Sequence, residues 1–426
     1  MRYAHMSPSQ RKAEYDSCLA QYKNFQSQKL TINMSRGKPH AEQLAFSHEM
    51  LTAFSRGFTA EGGFLAEDGT DCRNYGGLYG IPEMKRLFAE ILDVDPSSVT
   101  VGGNSSLNMM FDCVAAFRER IWDKKIKFIC PVPGYDRHFA MCEYFDIEMI
   151  PVEMTEAGPD MDAVERLAAD PSVAGMWCVP VFSNPQGYTY SDETVGRLAA
   201  MPAANPHFRL FWDNAYAVHH FRGERPRLLN IFAECARPEN NRADRPLAFT
   251  SFSKISFAGS AVAAVAASPR NLSILRNRLK FQTVGPDKIN QLTHARYFKN
   301  LSGVLAHMEK LADILRPKFE TAEDIFTRRL GGTGIADWYT PDGGYFISFN
   351  TLDHCAKRTV ALCAEAGVET TGAGATYPYG NDPRDRNIRI APSYLTAGEL
   401  RAALEVFCCA VRLAALELLN GEAYHA

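Results

Sequence analysis

The chain has 426 residues, of which 46% are hydrophobic and 22% are charged, so its composition excludes a disordered protein and allows a large core. Its 46 Lys and Arg residues nearly balance its 49 Asp and Glu residues and leave a net charge of −3. This balance indicates no basic surface for nucleic acid or for an anionic membrane, and we expect neither partner. At about 150 residues per domain, the length allows two or three domains.

The eleven cysteines are odd in number, contain no C-x-x-C motif and lie mostly among apolar residues. This pattern predicts buried, reduced thiols and therefore a reducing compartment. The charged N-terminal region lacks the apolar segment of a signal peptide, and no apolar run reaches the length of a membrane helix. We therefore expect a soluble, cytoplasmic protein. His219 and His220 have no third candidate ligand near them, and no metal site is expected.

In chain order, residues 9–28 predict a helix, and an extended polar stretch follows at 34–39. Proline at its first turn opens a second predicted helix, Pro82–Leu92. The chain then alternates between helices and short apolar strands, which predicts parallel strands joined by crossovers and hence a doubly wound α/β sheet. The predicted strands are Val99–Val101 and residues 127–130, 148–152, 175–179, 209–212 and 247–252.

From residue 272 a helical region continues, with breaks, to about residue 330. The part after it mixes strands and helices and predicts a smaller α+β unit. Its predicted elements are strands at 343–349 and 387–391 and helices at 359–366 and Ala397–Leu419. We therefore divide the chain into a segment that contributes to the small domain, a large domain and a small C-terminal domain, with bounds at 1–60, 61–320 and 321–426.

A lysine follows the apolar strand predicted at 247–252. Lys254 has serines close to it on both sides, among them Ser251. A buried amine has a lowered pKa and can form an imine with a carbonyl compound, and hydroxyl groups beside it can bind a phosphate. An exposed loop lysine explains this stretch equally well when it is considered alone.

Polar residues also end two other predicted strands. Asp213 ends the strand at 209–212, and Tyr216 follows three residues later. Such a carboxylate can pair with a buried cation such as a protonated pyridine nitrogen, although a helix cap is the commoner role for aspartate at this kind of boundary. Asn184, in the sequence Ser-Asn-Pro-Gln-Gly, is by itself a common turn signal.

Two further features suit anionic groups. The sequence Gly-Gly-Asn-Ser-Ser at 102–106 lies at a predicted strand-to-helix turn, where backbone N–H groups and hydroxyls can hold a phosphate. Arg389 lies inside an apolar strand, and a buried guanidinium favours a bidentate carboxylate partner. Each feature is a weak signal alone, and their common order and spacing carry the interpretation.

Together these motifs resemble those of the fold type I aminotransferases that use pyridoxal 5′-phosphate. The sequences Ser-Arg-Gly-Lys-Pro at 35–39, Asn-Tyr-Gly-Gly-Leu-Tyr-Gly at 74–80 and Asp-Asn-Ala-Tyr-Ala-Val-His-His at 213–220 are similar to the aspartate aminotransferase-like branch called class Ic. The resemblance extends from about residue 30 to the end of the chain. It implies a large α/β domain with a mostly parallel doubly wound sheet and a smaller α+β domain formed by both chain ends.

The resemblance also implies roles for single residues. Lys254 matches the Schiff-base lysine, which in the family also moves the proton between substrate and cofactor. Asp213 would pair with the pyridinium nitrogen, Asn184 and Tyr216 would bond the ring hydroxyl oxygen, and Tyr135 would stack on the ring. The matching phosphate-side positions are Asn104, Ser105, Ser106 and Ser251, together with Tyr75, which would reach the partner subunit's site.

On the substrate side, Arg389 matches the arginine that clamps the α-carboxylate, with Asn184 and the Gly37 backbone nearby. An acidic substrate needs a second cation, because a buried unpaired carboxylate is strongly unfavourable. Lys288 stands 34 residues after Lys254, where better known aspartate enzymes supply an arginine from the partner subunit. A solvated loop lysine remains the alternative for Lys288, and other candidates for the cation are Arg36, Lys38 and Arg73.

The chain departs from the usual pattern at Val262. Most relatives have an arginine there, eight residues after the lysine, that binds the cofactor phosphate. The phosphate must then be held by hydroxyls and backbone amides, or by a base from elsewhere in the chain. Class Ic sequences share this substitution, so it supports the resemblance to that branch.

The resemblance implies a transaminase that moves an amino group from aspartate or another acidic donor to a 2-oxo acid such as 2-oxoglutarate, by a ping-pong Schiff-base mechanism. It also implies a homodimer with shared active sites. Two alternatives stay open: a pyridoxal-phosphate-dependent lyase or decarboxylase on the same fold, and a non-catalytic ligand-sensing domain. The presence of Lys254, Asp213 and Arg389 together favours the enzyme.

Overall fold

The computed structural model describes residues 2–58 and 63–421. Short 3₁₀ turns complete the connections between its helices and strands. Its α-helices are α1 (Pro8–Ser27), α2 (Ala41–Ala45), α3 (His48–Gly57), α4 (Pro82–Leu92), α5 (Ser106–Arg120), α6 (Asp136–Tyr144), α7 (Met161–Ala168), α8 (Asp192–Ala200), α9 (Ile231–Ala236), α10 (Pro269–Gln282), α11 (Lys288–Phe298), α12 (Leu301–Leu330), α13 (Ala356–Glu365) and α14 (Ala397–Leu419).

The strands form three sheets, of eight, three and two strands. They are β1 (Ile32–Asn33), β2 (Val99–Val101), β3 (Lys127–Val132), β4 (Glu148–Thr155), β5 (Gly158–Pro159), β6 (Val173–Cys178), β7 (Arg209–Asp213), β8 (Pro246–Ser251), β9 (Ala263–Ala267), β10 (Ala336–Trp338), β11 (Ile347–Thr351), β12 (Val368–Glu369) and β13 (Asn387–Ile390).

The large sheet has the strand order β2-β9-β8-β7-β6-β3-β4-β5. Its centre, from β8 to β4, is parallel, and the outer strands pair antiparallel. Helices cover both faces: Leu210 and Trp212 of β7 join one buried cluster, while Phe211 between them joins another. The predicted α/β class with a mostly parallel doubly wound sheet is therefore confirmed. The carboxyl ends of the central strands meet at one edge, where such sheets bind ligands.

Two stretches differ from the sequence-based expectation. Residues 263–267 form β9 between β2 and β8, although the run is alanine-rich and alanine has low strand propensity; its position between two strands determines its structure. The strand predicted at 343–349 begins only at Ile347. Gly343 and Gly344 precede it, and the backbone at Gly343 packs closely against Phe182: a Cβ at this position would lie 2.3 Å from the Phe182 ring.

The two ends of the chain pack together. Helix α1 lies on α14, and β1 pairs in parallel with β12. The antiparallel sheet β10-β11-β13 shares one buried cluster with these helices. Helix α12 continues without a break through residue 320 and contributes its first half to the core of the large sheet and its second half to this cluster. The division at residues 60 and 320 stays a prediction.

The eleven cysteines are all buried free thiols. Within residues 2–58 and 63–421, no helix combines the length and the hydrophobicity that crossing a membrane requires.

Candidate active site

Lys254 lies in the loop after β8, at the carboxyl edge of the large sheet. Its amine is enclosed by aromatic rings, with Nζ 5.1 Å from the ring centroid of Tyr216 and 6.0 Å from that of Tyr345. Burial lowers the pKa of Lys254; the Asp213 carboxylate opposes this shift, and the Arg389 guanidinium adds to it. Lys254 is half-buried, and the structure therefore gives an amine with reduced proton affinity rather than an exposed loop lysine.

Asp213 ends β7 and is only 4% exposed. His138 donates from Nε2 to its Oδ2 at 3.0 Å, and the imidazole of His138 stacks on Trp177 with ring centroids 4.3 Å apart. Among the described residues, Oδ1 of Asp213 has no hydrogen-bond partner although it is buried. No helix begins here, so Asp213 is not a cap. Its free oxygen can accept a hydrogen bond from a protonated ring nitrogen.

The other predicted ring contacts lie around this carboxylate. Burial raises the pKa of Tyr216 well above its usual value, and the neighbouring Tyr135 and Asp213 add to the shift. Tyr135 immediately precedes α6, and burial raises its pKa to about 12. Asn184 lies in the connection between β6 and β7, and its side chain is buried. Its Oδ1 accepts a hydrogen bond from Arg389 Nη1 at 3.5 Å. These side chains are therefore neutral, and Tyr135 and Asn184 line one cavity.

The predicted phosphate side consists of two connected turns. Helix α5 begins at Ser106, and the side chain of the preceding Ser105 does not cap it. The backbone N–H groups at this end of the helix can therefore donate hydrogen bonds to an anion. The Ser251 hydroxyl donates to Ser253 Oγ at 3.0 Å, and the Ser253 hydroxyl donates to the Asn104 carbonyl at 3.0 Å. The turn before α5 and the loop that carries Lys254 are thus joined by hydroxyl groups.

Val262 is buried beside a cavity of about 320 Å³. Asn104 and Asn290 line this cavity, and no Lys or Arg is among its described lining residues. The Asn290 amide donates to the carbonyls of Ser260 and Ala261 at 3.1 and 3.2 Å. Around Val262 the described lining therefore presents amides, the Ser260 hydroxyl and the Asp287 carboxylate in place of a cation.

Arg389 lies on β13 and is 8% exposed. Its Nη1 donates to Asp136 Oδ1 at 2.8 Å and to Asn184 Oδ1 at 3.5 Å, and its guanidinium lies 4.7 Å from the ring centroid of Phe346. Phe346 also packs against Gly37, where a Cβ would come within 2.1 Å of the ring. The structure thus places Asn184 within hydrogen-bonding reach of Arg389, and Gly37 on the Phe346 ring that Arg389 also contacts.

Lys288 lies beside the loop that carries Tyr75. The Tyr75 side chain is 82% exposed. Lys288 begins α11, is 5% exposed and donates from Nζ to the carbonyl of Gly76 at 2.8 Å. It is therefore not a solvated loop lysine, and within its own subunit it holds the loop that carries Tyr75.

The sequence did not indicate several residues that surround these groups. Asp136 pairs with Arg389, His138 holds Asp213, and the Tyr345 hydroxyl donates to the Lys254 carbonyl at 3.4 Å. Gln43 donates to that same hydroxyl at 3.1 Å. The nearness of Asp136 and His138 to Tyr135 in the sequence was the only available signal, because the partners lie far apart along the chain.

Burial lowers the pKa of His219 to about 3, so this histidine is neutral. Its ring packs edge-on against Tyr216 and Tyr345. In the part of the chain that the structure describes, no three His, Cys, Asp or Glu side chains are grouped as a metal site requires.

Comparison with known proteins identifies the family to which this chain belongs. The sequence model of the family described as aspartate amino-transferase matches residues 6–423. An aspartate aminotransferase of Corynebacterium glutamicum is 44% identical over 407 residues, which cover 93% of this chain and 92% of that protein. The crystal structure of an aspartate transaminase from C. glutamicum has a TM-score of 0.93 at 41% identity and covers 98% of this chain and 99% of that one.

A more distant structure shares the fold. The α-aminoadipate aminotransferase of Thermus thermophilus, complexed with N-(5′-phosphopyridoxyl)-L-leucine, has a TM-score of 0.75 at 20% identity, with 91% of this chain and 93% of that chain covered. The match over nearly the whole chain, together with the grouping of Lys254, Asp213 and Arg389, leads to one conclusion. This chain belongs to the aspartate aminotransferase family and is a transaminase of fold type I.

Proposed function

We propose that the protein is a pyridoxal 5′-phosphate-dependent transaminase that exchanges an amino group between an acidic amino acid, with aspartate favoured, and a 2-oxo acid such as 2-oxoglutarate. The observation that carries the proposal is the buried Oδ1 of Asp213, unpartnered among the described residues, on a carboxylate that acts, together with the Arg389 guanidinium, on the charge of the Lys254 amine. The similarity to an aspartate aminotransferase and an aspartate transaminase of C. glutamicum supports aspartate as the donor.

The residues present fit this cofactor. The free oxygen of Asp213 would hold its protonated ring nitrogen, and Lys254 would bind it covalently. Asn184 and Tyr216 would bond the ring oxygen, and Tyr135 would cover the ring face. The phosphate would lie at the uncapped N-terminus of α5, with hydroxyl and amide groups from Asn104, Ser105, Ser106 and Ser251, and with Tyr75 of the partner subunit. When bound, pyridoxal phosphate supplies an electron sink for the negative charge that develops on the substrate Cα.

The chain's own groups would perform three tasks. Arg389, with Asn184 and the Gly37 backbone, holds the substrate α-carboxylate and thereby orients the bonds at Cα. The Lys254 amine would take the proton from the substrate Cα and pass it to the cofactor, a role that its lowered pKa favours because the amine is more often unprotonated. The surrounding aromatic rings exclude water from the amine. Because one oxo acid leaves before the other enters, the kinetics are ping-pong.

A second cation would select an acidic donor. We propose Lys288, acting across the subunit interface, for the distal carboxylate. Its ammonium has three donors, of which the contact with Gly76 uses one. Because lysine lacks the bidentate fork of arginine, we expect looser selectivity among dicarboxylates. Arg36, Lys38 and Arg73 remain the other candidates, although Arg73 already pairs with Asp71 at 2.7 Å.

We further propose that the active unit is a cytoplasmic homodimer in which Tyr75 completes the partner's site. Exposed apolar side chains beside the Tyr75 loop support an interface there: Phe281 is 82% exposed and Val284 is 66% exposed. The N–H of Gly76 donates to the Val284 carbonyl at 3.4 Å, so these residues lie on one surface. The eleven buried free thiols support a reducing compartment.

The experiment that tests the activity is a product screen. Cofactor-loaded protein is incubated with each of the twenty amino acids and with 2-oxoglutarate, oxaloacetate or pyruvate. We expect equal amounts of a new 2-oxo acid and a new amino acid, with aspartate among the best donors. Release of ammonia or carbon dioxide without a new amino acid would instead support a lyase or decarboxylase.

A further inference from the structure

An acidic side chain contacts the proposed carboxylate clamp from within the protein. Asp136 begins α6, directly after Tyr135, and its Oδ1 accepts a hydrogen bond from Arg389 Nη1 at 2.8 Å. The two residues are 253 positions apart in the sequence. Asp136 follows β3 of the large sheet and Arg389 lies on β13 of the three-stranded sheet, so the fold brings them together. The Arg389 side chain is 10% exposed and that of Asp136 is 35% exposed.

This contact leaves one edge of the guanidinium available. The hydrogen bonds of Arg389 to described residues all use Nη1, which reaches Asp136 and Asn184. Its Nε is buried and has no partner among those residues. A carboxylate can bind an arginine in the bidentate manner along the edge formed by Nε and Nη2. The free edge is therefore the one that a substrate carboxylate can occupy.

We propose that Asp136 is a positioning residue for Arg389. Its carboxylate fixes Nη1 and thereby presents the Nε–Nη2 edge to the substrate α-carboxylate. The proposal rests on the proposed function, in which Arg389 binds that carboxylate. A buried guanidinium without a partner is unfavourable, and Asp136 supplies the partner before substrate enters.

Asp136 also places a negative charge near an incoming carboxylate, and this charge acts against the positioning effect. Water reaches the partly exposed Asp136 side chain and screens its charge, whereas Arg389 is buried and Asp136 is the carboxylate that pairs with it among the described residues. Orientation therefore outweighs repulsion, and loss of Asp136 weakens substrate binding.

The test compares Asp136→Ala and Asp136→Asn with the unmodified holoenzyme. Glu143→Ala is the matched control, because Glu143 is an exposed carboxylate on the same helix and forms no ion pair with the described residues. We expect Asp136→Ala to raise KM about tenfold for acidic and apolar donors alike, because all share the α-carboxylate, with a smaller change in kcat. The Asn variant keeps an oxygen acceptor and should show a smaller rise.

Calorimetric titration of maleate, an unreactive dicarboxylate, gives a readout that does not depend on turnover. The dissociation constant should rise by the same factor in Asp136→Ala and stay unchanged in Glu143→Ala. Each variant should retain the visible absorbance of bound cofactor; failure of the unmodified protein to bind cofactor or to turn over would contradict the proposed function instead. Unchanged or tighter maleate binding in both Asp136 variants, or a KM rise confined to acidic donors, would overturn the role of Asp136.

Discussion

At the residue scale, the chemistry depends on how two opposite charges act on one buried amine. Burial lowers the pKa of Lys254, Arg389 lowers it further, and Asp213 raises it. Only the unprotonated amine attacks a carbonyl carbon, so the pH at which Lys254 becomes reactive reports on these charges. The cofactor-free protein provides a direct view of this titration.

We predict that replacing each charge moves the titration in a defined direction. In Arg389→Gln the loss of the cation raises the pKa of Lys254, so the midpoint of the rate of cofactor attachment against pH moves to higher pH. In Asp213→Asn the loss of the anion moves the midpoint to lower pH. Stopped-flow absorbance on cofactor-free protein measures both, and comparison between variants cancels the titration of the reagent. Midpoints that stay fixed, or that move the opposite way, would contradict this electrostatic account.

Two of the residues that the sequence singled out, Lys254 and Asp213, follow predicted apolar strands. Each position is a weak signal alone, and the roles of both residues were expected only because the motifs together resemble one family. Asp136 and Tyr345 could not be predicted, since their roles depend on Arg389 and Lys254, which lie 253 and 91 residues away along the chain. Local pattern carries no information about such partners.

At the element scale, the loop at residues 74–80 depends on α11 for its position. Lys288 begins that helix and bonds the Gly76 carbonyl, and the methylene Cδ of Lys288 lies so close to Gly77 that a Cβ there would be only 2.9 Å away. Gly77 has a φ of +61°, which favours glycine in any case. Lys288 therefore connects the N-terminus of α11 to the loop that carries Tyr75.

We predict that Lys288→Ala lowers kcat/KM for aspartate about tenfold more than for an apolar donor, because only aspartate has a distal carboxylate that needs a cation. Lys288→Met is the control for the length of the side chain and should behave similarly. Steady-state kinetics with both donors measure the difference. Equal losses on both donors would remove Lys288 as the distal cation and leave it as the anchor of the Tyr75 loop.

The limits of elements could be predicted where local signals are strong. Pro82–Leu92, Val99–Val101 and Ala397–Leu419 have the predicted bounds, because a proline, a short β-branched run and a long amphipathic pattern mark them. The strand β9 could not be predicted from its alanine run, since pairing with β8 determines it. The late start of β11 could not be predicted either, since packing of the preceding glycines against Phe182 determines it. Tertiary contacts override weak local propensity in both places.

At the scale of the whole molecule, the proposed site draws on two subunits. The Tyr75 side chain is 82% exposed, whereas Lys254, Asp213 and Arg389 of one chain lie close enough to affect one another's charge. In a symmetric dimer each site would then combine one subunit's Lys254 with the partner's Tyr75. The need for Lys254 in one subunit and the need for Tyr75 in its partner can be tested separately by placing the two substitutions in different chains.

Mixed dimers of Lys254→Ala and Tyr75→Ala chains test this arrangement. In a heterodimer one site lacks both residues and the other has both, so equal mixing of the refolded chains should restore about a quarter of the unmodified activity. Each parent refolded alone is the control and should stay well below that value. A mixture no more active than the mean of its parents would contradict shared active sites.

The most direct test of the central claim is the position at which the cofactor becomes attached. Protein loaded with pyridoxal phosphate is reduced with borohydride, which converts the carbon–nitrogen double bond to a stable single bond, and its peptides are then analysed by mass spectrometry. The account predicts a phosphopyridoxyl group on Lys254 and loss of both the label and transamination in Lys254→Ala. A label on another lysine, or a Lys254→Ala protein that keeps the unmodified rate, would contradict it.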